Sequence, residues 1–187
     1  KGGLGNSLGP PTIMLEILVE GREIYDEEEN LFHKCETTKL QLEHSLISLS
    51  KWESKWKVPF IGDAPKTNEQ TLDYIKAMTI SRGVPDSVYR CLSAKNYEEI
   101  KDYLTDPMTA TTIREYNQRT TQPSVITSEL LYYYMFSYQI PMDCQKWHLS
   151  RLIMLIRVFN AKAQEQEAGA KNTRVNKPEI AAQRRAL

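Results

Sequence analysis

The chain has 187 residues, 41% of them hydrophobic, with 24 Lys+Arg against 24 Asp+Glu, enough for one ordinary domain or two small ones. Zero net charge leaves no domain-wide field to draw in phosphate backbones or anionic lipid, which disfavours nucleic acid and membrane as general partners. No run approaches the roughly 18 consecutive apolar residues of a membrane span, and the front has no signal-peptide pattern.

Residues 1–11, KGGLGNSLGPP, read as a flexible Gly/Pro-rich arm. The expected folded unit is 12–168, an α+β domain that is mainly helical. Within it, 12–44 is read as a small β element. Thr12 to Val19 is rich in Ile, Leu and Val, Ile24-Tyr25 follows, and Gly21 between them is read as a hairpin turn. Leu40 and Leu42 alternate with polar residues and suggest a third short strand.

Residues 45–106 carry helix patterns. Leu46, Leu49, Trp52 and Trp56 recur at three- and four-residue steps until Pro59. Thr67 and Gln70 form a capping-box signature ahead of Leu72, Ile75 and Met78. Shorter helices are expected from Asp86 to Leu92 and from Tyr97 to Leu104, before Asp106-Pro107 breaks the chain. The threonine-rich stretch 107–123 reads as a loop. Residues 124–168 read as a long αα-hairpin, SELLYYYMFSYQ followed by a helix from about Met142 to Gln166, and 169–187 as a basic tail. In the second helix Cys144, Trp147, Leu152, Leu155 and Phe159 form one apolar stripe, with Leu149, Ile153 and Ile156 beside it.

No sequence motif of a nucleophile, a phosphate loop or a metal site is present, so a non-enzymatic protein without cofactor is expected. Cys35, Cys91 and Cys144 lie far apart and read as reduced, packed thiols. Cys144 and His148 are four apart, but two ligands do not make a metal site. Lys51-Trp52-Glu53-Ser54-Lys55-Trp56-Lys57 interleaves aromatic and basic residues as single-strand nucleic-acid binders do. Since both indoles fall on the apolar stripe with Leu46 and Leu49, the favoured reading is core tryptophans with lysine stems along them. Tyr132, Tyr133 and Tyr134 with Met135 and Phe136 present apolar groups all round a helix, either as a buried helix or as a contact surface.

Charge is unevenly distributed. From Glu16 to Glu36 eight acidic residues face only Arg22 and Lys34, a balance of −6; from Lys146 onward nine Lys/Arg face three Glu, a balance of +6. Two solvated faces, or an acidic-to-basic contact between subunits, both account for this.

LQLEHSLISLSKWESKW at Leu40–Trp56, TLDYIKAMT at Thr71–Thr79, PMTATTI at Pro107–Ile113 and ITSELLYYYMFSYQIPMDCQKWHLSRLIMLIRV at Ile126–Val158 resemble a family of morphogenesis proteins from long-tailed bacteriophages, similar to tail assembly chaperones. The resemblance covers Ile13 to Leu187; the Gly/Pro front is outside it, and Met14 is a candidate start. It implies a non-enzymatic, homo-oligomeric protein that holds the tape-measure protein in the host cytoplasm while tail subunits polymerise. The surface expected for this is Tyr132, Tyr133, Met135, Phe136 and Trp147 with the basic tail Lys171, Arg174, Lys177, Arg184 and Arg185. Trp52, Trp56, Leu149 and Leu152 are expected as core residues of the motif. The alternatives are a structural virion component, such as a head-to-tail connector, minor tail or capsid-associated protein, and, more weakly, a DNA-packaging accessory protein using Lys51, Lys55, Lys57 and the Arg184-Arg185 tail.

Overall fold

A computed structural model of the chain describes residues 14–26, 30–112 and 125–166. The expected flexible arm 1–11, most of the loop 107–123 and the basic tail 169–187 lie outside the described residues. The element order, four strands and then helices, gives an α+β fold that is mainly helical.

The strands are β1 (Leu15–Val19), β2 (Glu23–Asp26), β3 (Leu31–Lys34) and β4 (Thr38–Leu42). β1 pairs antiparallel with β4, and β2 with β3. Leu15 faces Leu42, Val19 faces Thr38 and Glu23 faces Lys34, so one register runs through both pairs. They are the base and the distal half of a single long ribbon. Between them the Cys35 N–H donates to the Arg22 carbonyl (2.9 Å), which bridges the gap.

The expected turn at Gly21 is therefore corrected, because the ribbon passes straight through it. A Cβ there would lie 2.8 Å from the Thr37 nitrogen and 2.9 Å from the Cys35 oxygen, so Gly21 serves close approach of the opposite strand rather than chain reversal. The cysteine expectation is corrected as well. Cys35 and Cys91, 56 residues apart, are joined by a disulfide, and only Cys144 is a free, buried thiol. The ribbon neck folds against the segment after α3, a proximity that spacing along the chain does not reveal.

The helices follow local caps. α1 (Leu46–Trp56) begins at Ser45, whose hydroxyl accepts from the Ser48 N–H, and ends where Lys57 turns left-handed at φ 56°. α2 (Asn68–Met78) starts at the Thr67–Gln70 capping box, where the sequence pattern placed it. α3 (Asp86–Arg90) is short. α4 (Ala94–Thr105) begins three residues before Tyr97 because Ser93 and Asn96 make a capping box of their own. α5 (Ser128–Ser137) is capped by Thr127.

Beyond Pro141 the long helix expected from Met142 is interrupted. Met142–Lys146 is a 3₁₀ turn, and α6 begins at 149, its described part running to 166. Cys144 and His148 thus lie on no common helix, and Cys144 and Trp147 drop out of the expected stripe. The Leu149 N–H, free at a helix start, is used instead in a 2.8 Å bond to the His44 carbonyl.

Two buried clusters share α1. In the first, Ile17, Val19, Leu40 and Leu42 of the ribbon base pack on Trp52, Tyr74, Ile75, Met78 and Ile100. In the second, Leu46 and Leu49 meet Leu131, Met135, Leu149, Leu152 and Ile156. Residues 79–81 extend the ribbon base: the Ile80 N–H donates to the Gln41 carbonyl (2.9 Å) and the Glu43 N–H to the Met78 carbonyl (2.8 Å). In the distal half, the described side chains of Glu23, Tyr25, Phe32 and Lys34 belong to neither cluster.

Candidate interaction surface

α5 reaches the surface with its direction set by a buried carboxylate. Glu53 of α1 accepts from the Phe60 N–H (2.9 Å) through one oxygen and from the Ser128 N–H (2.7 Å) through the other. A charged acceptor on the first N–H of α5 also suits the helix dipole. Thr127 Oγ1 accepts from the Leu130 N–H, and the helix stops where Gln139 turns left-handed ahead of Pro141.

With α5 so fixed, Leu131 and Met135 point into the second cluster and Tyr133 and Phe136 point out, 63% and 66% exposed. Tyr132 is half-buried, its hydroxyl donating to Gln145 Oε1 (3.1 Å). Met135, expected in the contact surface, is fully buried; it sits four residues after Leu131 on the inward stripe and fills the core. Trp147 is half-buried, with the Arg151 guanidinium 4.8 Å from its ring centroid. Of the expected surface, then, Tyr133 and Phe136 are open, and Tyr132 and Trp147 offer partial faces.

Two aromatics were not anticipated in this role. Tyr138 stacks on Tyr134 at 6.2 Å and on Phe159 of α6 at 5.0 Å, and its hydroxyl bonds Asn160. Tyr133 meets Tyr134 edge-on at 5.6 Å, so a ladder of rings runs from α5 to the distal part of α6. The i, i+4 spacing of Tyr134 and Tyr138 was legible in sequence; the approach of Phe159 was not. Ile153, Met154, Leu155 and Val158 beside it are half-buried, and Phe159 is exposed. The lone exposed apolar residue of an ordinary surface needs no explanation, but a row of rings across two helices does; Phe136, two residues from both Tyr134 and Tyr138, lies off that row.

The core expectations hold for Trp52, Leu149 and Leu152, all buried. Trp52 donates its indole N–H to the Gln70 carbonyl (2.8 Å) and packs edge-on against Phe60. Trp56 is half-buried beside it. Lys55 pairs with Asp73. Stacking a base on Trp52 would require opening the core, whereas Trp56 keeps part of its ring accessible. The tail residues Lys171, Arg174, Lys177, Arg184 and Arg185 lie outside the described residues.

Where the clusters meet, two histidines are buried together. His44 Nδ1 is 2.6 Å from the Tyr74 hydroxyl, and the His44 N–H donates to the Tyr103 hydroxyl (3.1 Å). His148 Nε2 is 3.0 Å from the Tyr103 carbonyl; as that oxygen only accepts, Nε2 carries the proton and Nδ1, buried without a hydrogen-bond partner, is bare. The rings lie 4.9 Å apart. Burial pushes His44 down to about 3, the neighbouring His148 adding to the effect. Burial also lowers His148, against the opposing pull of the Tyr103 carbonyl and Asp106. Both rings are buried and neutral at pH 7, and they join the two clusters.

No group of three or more His, Cys, Asp or Glu side chains suited to a metal ion occurs among the described residues. No helix among them is long and apolar enough to cross a membrane. Comparison with known proteins found no match to a protein family, a curated protein or a solved structure.

Proposed function

We propose that the chain is a non-enzymatic phage morphogenesis protein, a tail assembly chaperone that binds the tape-measure protein during tail assembly in the host cytoplasm. What supports this is the exposed pair Tyr133 and Phe136 on α5 and the row of rings that runs from Tyr133 through Tyr134 and Tyr138 to Phe159, together with the motif resemblance. A tape-measure protein is a long helical client, and an amphipathic helix laid on such a surface would cover rings that the folded chain leaves to water. Each large side chain so covered is worth about 1.5–3 kcal/mol, enough for reversible capture by a few rings repeated across copies.

The test is co-expression with the tape-measure protein encoded by the same phage. The wild-type chain is expected to keep the client soluble, and the Tyr133→Ala/Phe136→Ala variant, folded by circular dichroism, to lose it to the pellet. Unchanged client solubility with that variant would overturn the surface. Recovery of this chain at several copies in purified particles would replace the chaperone reading with that of a structural virion component.

A further inference from the structure

The distal ribbon is anchored at its neck. At its neck Arg22 donates to the Leu92 carbonyl (3.1 Å), Asn96 Nδ2 donates to the Leu18 carbonyl (3.1 Å), and Cys35 is bonded to Cys91. These three ties fasten the neck to the α3–α4 junction, so what projects beyond it is a held arm. Tyr25 and Phe32 are cross-strand partners on β2 and β3, their rings 4.9 Å apart. They are 46% and 72% exposed. Exposed Glu20, Glu23 and Glu36 lie near the neck, and the ribbon sequence from Glu16 to Glu36 carries −6.

An open aromatic pair on a ribbon of acidic sequence suits arginine. The guanidinium stacks on ring faces and forks onto carboxylates, while lysines add point charges. This chain carries such a segment in its own sequence: Lys171, Arg174, Lys177, Arg184 and Arg185 against the single Glu179. The segment follows α6, which belongs to the second cluster, whereas the ribbon grows from the first. The acidic arm and the basic segment therefore issue from different halves of the fold.

We propose that the ribbon arm of one copy docks the basic 171–185 segment of a second copy. The contact is head to tail, so each copy keeps one arm and one segment free and the assembly extends into a ring or filament. Such an array would repeat the α5 surface along a client. The proposal goes beyond the client-binding reading and does not depend on it, since it is tested with no client present.

The experiment is sedimentation velocity on the full chain at 0.1 M and 1 M salt, where the screening length falls from about 10 Å to about 3 Å. Concentration-dependent oligomers are expected at low salt and their loss at high salt. Two neutralised variants, Glu20→Gln/Glu23→Gln/Glu36→Gln on the arm and Lys171→Gln/Arg174→Gln/Lys177→Gln on the segment, are each expected to self-associate at least about tenfold more weakly. Mixed one to one, they are expected to form dimers and stop there, because the only intact arm meets the only intact segment. Tyr25→Ala/Phe32→Ala is expected to weaken assembly at 0.1 M salt, with the charges intact. Monomers throughout, oligomers indifferent to salt, or variants that assemble like wild type would overturn the proposal. So would a monomer whose basic segment gains protease protection from its own arm.

Discussion

Trp52 on α1 and Phe136 on α5 are both large aromatics in helices of similar length, and they have opposite fates. Trp52 is 2% exposed, hydrogen-bonded to Gln70 and surrounded by Phe60, Trp56 and Tyr74. Phe136 stands in solvent one residue after the fully buried Met135. The difference lies in how many partners each helix has. α1 runs between two clusters and spends apolar residues on both, whereas α5 packs on the second cluster alone and carries more rings than that side can cover. Surplus apolar surface on a helix whose inward side is already covered by its own core is the kind that interfaces use.

The sharpest way to break this contrast is to truncate both rings. Trp52→Ala is expected to cost about 4 kcal/mol, as core aromatic deletions do, read as a shift in the urea midpoint. A loss below about 1 kcal/mol would mean that the first cluster is not packed around this indole.

Next in size is the tie between the two helices. Glu53→Ala removes both acceptors and leaves the Phe60 and Ser128 N–H groups unpaired inside the protein, a loss of about 3 kcal/mol. Glu53→Gln, which keeps one accepting oxygen, is expected to fall between the variant and wild type. Equal stability of all three would show that the carboxylate does not position α5.

The histidine joint gives an effect of intermediate size that depends on pH. Both rings are neutral in the folded state with lowered pKa, so the unfolded chain binds more protons below its ordinary value near 6.5. Stability is full above that pH and declines as pH falls towards the folded value. At pH 5, His44 alone is expected to remove about 2 kcal/mol. His44→Gln, or His148→Gln, is expected to flatten the slope of stability between pH 7 and pH 5. A slope identical to wild type in both would assign the acid sensitivity elsewhere.

The smallest expected effect completes the comparison. Tyr133→Ala and Phe136→Ala are expected to change stability by less than about 0.5 kcal/mol each, while client solubility falls. A thermal shift comparable to that of Trp52→Ala would place these rings in a core.

Much of the helical part was legible because caps and stripes are local. Ser45, Thr67 and the Leu46–Leu49–Trp52 stripe specify where α1 and α2 begin and which side they bury, since three- and four-residue contacts do not depend on the rest of the fold. The core role of Trp52 followed from that stripe. The break before α6 was less legible. Its sequence has helical spacing throughout, yet the Leu149 N–H bonds to His44 more than a hundred residues earlier, and that distant carbonyl sets the helix start. Met135 was misplaced for a related reason: a helix with apolar residues all round has no stripe to say which side is inward, and only the direction imposed by Glu53 decides it.

By itself the sequence determined the α+β order, the capped helices, the core tryptophan and the opposed charge of front and back, because each rests on neighbours within a turn or on composition. The tertiary structure decided that four strands form one ribbon, that Cys35 meets Cys91, that two histidines share a buried joint, and that on α5 it is Tyr133 and Phe136 that are left uncovered. Those outcomes depend on groups brought together from far along the chain, and their proximity is a property of the packed fold.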